Sequence, residues 1–153
     1  MIISLSGLIF GLFSCGRITY NDEYELAKDV FHLVNLHRNS IGMNSLEWNG
    51  IVAEQCQLHS EDMASGSVGI GHAGLDSRAQ DILEKIPYTQ LYENVGYLAD
   101  VMGISSPASR IIEEWLKSPE HSFAIEGAYD ITGVGVVVDG AEYYFTQIFL
   151  KID

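Results

Sequence analysis

Residues 106–121, SPASRIIEEWLKSPEH, form the stretch that decides the fold. Ser106 can cap a helix, and Pro107 suits the first helical position because no backbone N–H is needed there. Apolar residues then recur at steps of three and four, which predicts a helix with one buried side. Pro119 predicts that this helix ends and that His121 follows on a loop, where it is a candidate site residue. The apolar positions are Ala108, Ile111, Ile112, Trp115 and Leu116.

The rest of the chain reads as further helices followed by a hairpin. Helical spacing predicts a helix over residues 23–39, a second capped by Asn49, and a third that starts at Asp76 or Ser77. Residues 131–139 and 142–152 are rich in β-branched and aromatic residues, and an Asp-Gly turn joins them. Nearly unbroken apolar strands are covered on both faces. The expected fold is therefore α+β, a three-layer α-β-α sandwich around a small, mainly antiparallel sheet.

Length and charge limit the functions that the chain can have. Its 153 residues suit one domain, with no internal repeat. There are 21 acidic and 8 basic side chains, which gives a net charge of −13. Such a charge repels a phosphate backbone, so we do not expect a nucleic-acid partner.

The first fourteen residues, MIISLSGLIFGLFS, carry no charge and are too short to span a bilayer. They fit the apolar part of an export signal, and residues 12–15 resemble the lipobox of bacterial lipoproteins. We therefore predict that residues 1–14 are removed, that Cys15 is lipidated, that residues 15–22 form a tether, and that residues 23–153 fold. A plain signal peptide and a partly buried apolar end are the alternatives. Cys56 then has no disulfide partner and is expected to be a small buried residue.

Three more segments carry groups capable of chemistry. His72 lies in the glycine-rich segment 65–74, whose match to G-x-G-x-x-G follows a predicted helix rather than a strand, which argues against a nucleotide site. His59 shares the apolar face of a helix, which favours a structural role. Arg78 lies in a first helical turn, where the dipole disfavours a cation, so an acidic partner is expected. Glu93, between apolar neighbours, is either solvated on a turn or paired in a site.

His72, Glu93 and His121 come from three separate segments that can meet in space. Two imidazoles and a carboxylate can hold Zn²⁺ and leave a coordination position open. No short-range motif such as H-E-x-x-H or G-x-S-x-G connects these residues. Spacing alone therefore gives only a weak prediction of a metal or catalytic site.

At these residues the sequence resembles the CAP superfamily, named for cysteine-rich secretory proteins, antigen 5 and pathogenesis-related proteins, and it is most similar to the bacterial branch. Order and spacing agree over residues 23–152. The matching pieces are Val34-Asn35 with Arg38, Leu46-Glu47-Trp48, Gly71-His72 with Arg78, Glu93-Asn94-Val95, residues 115–121, residues 133–136 and residues 145–147.

The resemblance implies an α-β-α sandwich with an open cleft lined by two histidines and two acidic residues. His72, His121 and Glu93 match three of the four cleft positions. The usual position of the second glutamate holds Ser118, and Glu114 projects from the same helix edge one turn earlier. His72 and His121 are thus the candidate ligands of a divalent cation such as zinc, and the missing carboxylate lowers the expected affinity.

The resemblance also implies a location and a class of function. Members of the superfamily are mostly extracellular, mostly not established enzymes, and several bind sterols or other lipids. We therefore predict a lipoprotein of the bacterial envelope, anchored in the outer membrane or at the cell surface, whose cleft binds a lipid, sterol or other small ligand. One alternative is a metal-assisted hydrolase in which Glu93 takes a proton from water. Another is an adhesin that contacts host proteins and has a vestigial cleft.

Overall fold

Five helices and four strands make up residues 19–99 and 106–152, the part of the chain that the computed structural model describes. The predicted export signal and Cys15 lie outside these residues. The elements in chain order are α1 (Tyr20–Ser40), β1 (Glu47–Trp48), α2 (Gly50–Ala64), α3 (Leu75–Leu83), β2 (Gln90–Ala99), α4 (Pro107–Lys117), α5 (Pro119–Ile125), β3 (Ile131–Asp139) and β4 (Glu142–Lys151).

The four strands form one sheet in the order β1-β3-β4-β2. β1 runs parallel to β3, whereas the β3–β4 and β4–β2 pairs are antiparallel. The predicted Asp-Gly hairpin joins β3 to β4, with Gly140 at φ +61°, a left-handed conformation that glycine adopts without strain. β2 therefore lies at one side of the sheet, with β4 as its neighbour, and this position matters for the site.

Helices cover both faces of the sheet, which confirms the predicted α-β-α layers. Helices α1, α4 and α5 pack on one face through a core that includes Val30, Trp115 and Phe145. Helices α2 and α3 pack on the other face through a smaller cluster that includes Cys56 and Ile82. The strands are accordingly buried on both sides, as their apolar runs predicted.

Two glycines of β3 let helix α2 approach the sheet closely. A Cβ atom on Gly133 would lie 2.2 Å from the backbone nitrogen of Ala53, and one on Gly135 would lie 2.2 Å from that of Gln57. Neither distance is compatible with a side chain. The spacing of the two glycines therefore determines how α2 and its buried residues sit against the strands.

Two helix starts differ from the sequence prediction. Helix α1 begins at Tyr20 rather than at residue 23, and the Asp22 carboxylate accepts hydrogen bonds from the backbone N–H and the hydroxyl of Thr19. The end of the predicted tether is thus helical. Helix α3 begins at Leu75, one residue before the predicted cap, because Gly74 takes the left-handed conformation at φ +76° and turns the chain into the helix.

The start and end of α4 agree with the prediction, but the chain after it does not. The Ser106 hydroxyl accepts the backbone N–H of Ser109, and the helix ends at Lys117. The prediction of a loop at His121 was wrong: Pro119 occupies the first turn of α5, and His121 lies within that helix. A proline that cannot continue one helix is well suited to begin the next, since its fixed φ angle already matches.

Helix α2 agrees with the sequence prediction at its cap and at its buried cysteine. Asn49 caps this helix through its side-chain oxygen, which accepts the backbone N–H groups of Ile51 and Val52. Cys56 is fully buried, as predicted, and burial raises the pKa of its thiol. Across residues 19–99 and 106–152, none of the helices combines the length and apolar character needed to cross a bilayer.

Candidate functional site

A buried ion pair between Glu93 and Arg78 forms the base of the candidate site. The Glu93 side chain is fully buried, and both of its oxygens accept hydrogen bonds from Arg78 at 2.8–3.0 Å. The acidic partner predicted for Arg78 is thus Glu93. The third guanidinium nitrogen of Arg78, Nη1, donates to the backbone oxygen of Ala73 at 2.7 Å. The pair therefore fixes the glycine-rich segment on the sheet.

Of the two alternatives for Glu93, the structure shows the paired one: the residue lies in the middle of strand β2 rather than on a solvated turn. Its register partner is Ile148 of β4, which packs against Val52 and Cys56 of α2. The carboxylate therefore points to the α2 face of the sheet, towards Arg78 and the glycine-rich segment. Extended pairing along the whole of β2 produces this position, and a Glu-Asn-Val-Gly sequence does not predict it.

His72 is held in a defined orientation by the same carboxylate. Its Nδ1 lies 2.9 Å from Oε1 of Glu93, and about half of the imidazole side chain, 53%, is exposed. Because a carboxylate accepts hydrogen bonds, Nδ1 carries the proton that is shared with Glu93. The other ring nitrogen, Nε2, is left for contact with solvent or a ligand.

His121 approaches the same strand from the opposite face of the sheet. Its ring lies 6.4 Å from that of Trp115, centroid to centroid, and its backbone oxygen accepts the side-chain amide of Asn94 at 3.1 Å. Partial burial lowers the pKa of His121, and the nearby charge of His72 lowers it further. His121 therefore favours its neutral form.

Two buried polar residues position the backbone next to each histidine. His59 lies 2.7 Å from the oxygen of Gly71, the residue before His72, and Asn94 binds the oxygen of His121 itself. Carbonyl oxygens only accept, so Nε2 of His59 donates, and burial lowers the pKa of this imidazole. The structural role predicted for His59 thus includes the segment that carries His72. Sequence reasoning missed this function of Asn94, although the residue adjoins Glu93.

The fourth predicted cleft residue, Glu114, pairs along its own helix. Its carboxylate lies 2.9 Å from Arg110 and 3.2 Å from Lys117. Among the hydrogen bonds and ion pairs of residues 19–99 and 106–152, none connects Glu114 to His72, Glu93 or His121. Ser118, at the usual position of the second glutamate, is half-buried and lies at the junction between α4 and α5.

The donor set does not fit a three-ligand zinc centre. Glu93 is buried, and its oxygens are already bonded to Arg78 and His72, so it is not placed to bind a metal ion. Within the described ranges, no three His, Cys, Asp or Glu side chains are grouped in a way that could hold a metal. Two imidazoles, those of His72 and His121, are fewer protein ligands than zinc sites normally have.

Apolar side chains adjoin the site residues in the chain. Phe123, two residues after His121, is 63% exposed, and its ring lies 5.7 Å from that of Tyr92, the residue before Glu93. Ile70, two residues before His72, is 55% exposed. Exposed apolar groups of this size next to polar ones are typical of surfaces that bind other molecules.

Two surface hollows lie away from the histidines. The first, of about 760 Å³, is bordered by Arg38 and Tyr129, which are buried, and by the partly exposed Lys151. The second, of about 490 Å³, lies between α1 and α2. Tyr24 and Leu58 line the second hollow. Both have the volume that small ligands fill, so a binding experiment needs variants that separate them from the histidine site.

Comparison with known proteins identifies relatives of the whole domain. The family model described as "CAP: Cysteine-rich secretory protein family" matches residues 31–149. An uncharacterized membrane protein, YlbC, from Bacillus subtilis (strain 168) is 32% identical over 126 residues, which cover 81% of this chain and 34% of that protein. The chain thus spans about a third of the length of this curated relative.

Solved structures of similar fold also come from bacteria. An outer surface protein from Borrelia burgdorferi superposes with a TM-score of 0.71 at 19% identity, covering 86% of this chain and 96% of that one. An extracellular protein containing an SCP domain from Bacillus anthracis str. Ames superposes with a TM-score of 0.68 at 23% identity, covering 89% and 45%. At these identities the likeness shows a common fold.

Proposed function

Because this chain belongs to the cysteine-rich secretory protein (CAP) family, we propose that it is a non-enzymatic binding module displayed on the bacterial cell surface. Its ligand is a small amphipathic molecule, such as a lipid or sterol, held between His72 and His121. The observation that carries the proposal is the half-exposed imidazole of His72, fixed at 2.9 Å from the buried Glu93 carboxylate. A side chain held in this way presents one ring nitrogen in a constant direction.

The chemistry of the two histidines suits a neutral polar group on the ligand. With its Nδ1 proton shared with Glu93, His72 leaves Nε2 free for a hydrogen bond with the ligand, which it accepts as a neutral imidazole and donates as an imidazolium. His121, whose pKa is lowered, offers a neutral ring that can donate or accept. A hydroxyl group both donates and accepts, so it is matched to this pair better than a cation or a phosphate.

The apolar part of the ligand would rest on the exposed ring of Phe123 and the partly buried ring of Tyr92. Phe123 and Tyr92 lie next to His121 and Glu93 in the chain, and their rings are 5.7 Å apart. Covering the exposed ring of Phe123 would remove apolar surface from water, which favours binding. This combination supports an alcohol or sterol rather than a purely polar ligand.

The hydrolase alternative is not favoured by the position of Glu93. Its carboxylate is buried and accepts hydrogen bonds from Arg78 and His72, so it is poorly placed to take a proton from water. A titration with Zn²⁺ tests the metal part separately. We expect no rise in the thermal midpoint with zinc; a rise that disappears in both His72→Ala and His121→Ala would restore the metal hypothesis.

The surface location is supported by the relatives, and the lipid anchor remains part of the proposal. Those relatives include a membrane protein, an outer surface protein and an extracellular protein. A lipobox at residues 12–15 would attach the domain to the cell envelope through acylated Cys15. Metabolic labelling with palmitate, which should be lost in Cys15→Ser, tests the anchor independently of the cleft.

Calorimetry with a long-chain alcohol, a fatty acid and a sterol tests the binding site. We expect binding of at least one probe that weakens about tenfold or more in His72→Ala and in His121→Ala, the loss of roughly one hydrogen bond to the ligand. His32→Ala, a change at an exposed histidine of α1, is the matched control and should bind like wild type. Circular dichroism confirms that each variant is folded.

Two outcomes contradict the cleft hypothesis. Binding that survives both histidine changes but is lost in Leu58→Ser would place the ligand in the hollow between α1 and α2. Binding to host proteins that is unaffected by loss of both histidines, with no small-molecule binding, would favour the adhesin alternative.

A further inference from the structure

Three polar side chains cross the α1/α4/α5 face of the sheet inside the apolar core. Thr132 of β3, Gln147 of β4 and Asn94 of β2 each have no exposed surface. Asn94 and Gln147 are directly opposite in the β2–β4 register, so their side chains leave the same face of the sheet as neighbours. A row of polar side chains therefore lies on the face of the sheet that is covered by α5, the helix that carries His121.

The hydrogen bonds of this row determine how both amides are oriented. The Thr132 hydroxyl donates its one hydrogen to the oxygen of Ile148 at 2.7 Å, so it can only accept from Gln147, whose Nε2 lies 3.1 Å away. Asn94 donates through Nδ2 to the oxygen of His121, and a carbonyl oxygen cannot donate in return. The nitrogen ends of both amides are thus assigned by their partners.

The oxygen ends of both amides are left without a donor. Oδ1 of Asn94 and Oε1 of Gln147 are buried, and neither has a hydrogen-bond partner among the residues that the structure describes. Buried polar atoms of native proteins are nearly always paired, with the protein or with ordered water. Two such acceptors on directly opposed residues therefore point to a shared donor.

We propose that a buried water molecule lies between Asn94 and Gln147 and donates one hydrogen bond to each amide oxygen. Directly opposed residues on one face of an antiparallel pair have Cβ atoms about 4.5–5.5 Å apart, so one molecule can reach both amides. A water molecule has two O–H groups, which match the two acceptors in number. A metal ion is a poor fit because hard cations need six or more oxygen ligands, and apolar Phe145 and Phe149 flank Gln147.

This water would connect strand β4 to the candidate site through hydrogen bonds. It joins Gln147 of β4 to Asn94, and Asn94 in turn binds the backbone oxygen of His121. The position of α5, and with it the imidazole of His121, then depends on a network that starts at Thr132 in β3. The water would occupy this position whichever ligand the cleft takes.

A crystal structure of the wild-type protein, at a resolution that shows ordered solvent, tests the proposal directly. We expect one peak within hydrogen-bond distance of both Oδ1 of Asn94 and Oε1 of Gln147. In Gln147→Met, which keeps the length of the side chain but removes both amide atoms, the peak should be lost. In Gln80→Met, the same exchange at an exposed position of α3, it should remain.

A solution measurement gives the second readout. Water-to-amide cross-relaxation in NMR spectra should reveal a long-lived water next to the side-chain amide protons of Asn94 and Gln147. The ring resonances of His121 should move in Gln147→Met and stay unchanged in Gln80→Met. A wild-type structure with no peak between the two oxygens, or with a peak surrounded by five or more oxygens as for a cation, would overturn the proposal. If Gln147→Met does not fold, the wild-type density and cross-relaxation still decide.

Discussion

Nδ1 of His72 lies 2.9 Å from Oε1 of Glu93, and the same carboxylate is bound through both oxygens by Arg78. The half-exposed histidine is therefore attached to a fully buried charge pair. Two roles lie within a few ångströms of each other. The Glu93–Arg78 pair stabilises the fold, whereas the imidazole of His72 faces outward, where it can contact a ligand. His72 can therefore be substituted without breaking the Glu93–Arg78 pair.

Breaking the buried pair should destabilise the domain strongly. Arg78→Met leaves the Glu93 carboxylate buried without its cation, which costs about 3–5 kcal/mol in free energy of unfolding. Arg110→Ala removes an exposed pair with Glu114 and should cost less than about 1 kcal/mol. Urea unfolding at neutral pH measures both. Equal, small effects of the two changes would show that the Glu93–Arg78 pair contributes little to stability.

Adding a methyl group at Gly135 should also destabilise the domain, through the backbone of α2. A Cβ at this position would lie 2.2 Å from the nitrogen of Gln57, so Gly135→Ala forces the helix away from the sheet, at a cost of about 1–3 kcal/mol or more. Gly69→Ala is the matched control, because a Cβ there meets no atom within 4 Å. A thermal melt compares the two variants. If Gly135→Ala melts with wild type, α2 does not pack as closely as the structure shows.

The sequence predicted the elements that local chemistry determines. Helix α4 between Ser106 and Pro119, the Asn49 cap and the Asp-Gly hairpin all depend on residues within a few positions of each other. Burial on both faces of β3 and β4 followed from their apolar composition. For the same reason, the three layers could be predicted before any contact between elements was known.

Long-range contacts explain what the sequence could not predict. Glu93 belongs to a strand because ten residues of β2 pair with β4, although Glu93 and Asn94 are themselves residue types depleted in strands. The partner of Arg78 was expected to be acidic, yet only the fold shows that it is Glu93, fifteen residues away. Asn94 binds the His121 oxygen across 27 residues, a contact that no local pattern contains.

Lower pH should weaken the fold through two histidines before most carboxylates titrate. The pKa values of His59 and His121 are lowered, chiefly by burial, so the unfolded chain binds protons more readily than the folded one. Their contribution to stability is complete above the unfolded value of about 6.5 and is lost as the pH falls through the folded values.

NMR titration of the imidazole resonances and urea unfolding between neutral and mildly acidic pH measure this effect. Both histidines should titrate below an unfolded reference peptide. The titration of His121 should move upward in His72→Ala, because the charge of His72 contributes to its lowered pKa. Titration of His59 and His121 at or above the reference value, or stability that is unchanged over this range, would contradict the assignment.

The two cysteines give a test that links the fold to the proposed anchor. The Cys56 thiol is fully buried, its pKa is raised by burial, and it lies 3.3 Å from the oxygen of Gly133. It should therefore not react with a thiol reagent in the folded protein, since the thiolate is the reactive form.

Protein purified from its own cells should release one reactive thiol on denaturation if Cys15 is acylated. A form with Cys15 retained and unmodified should release two, and Cys56→Ala should release none from the acylated form. Rapid labelling of Cys56 in the native state would mean that α2 opens readily from β3, whereas two thiols after denaturation would rule out acylation of Cys15.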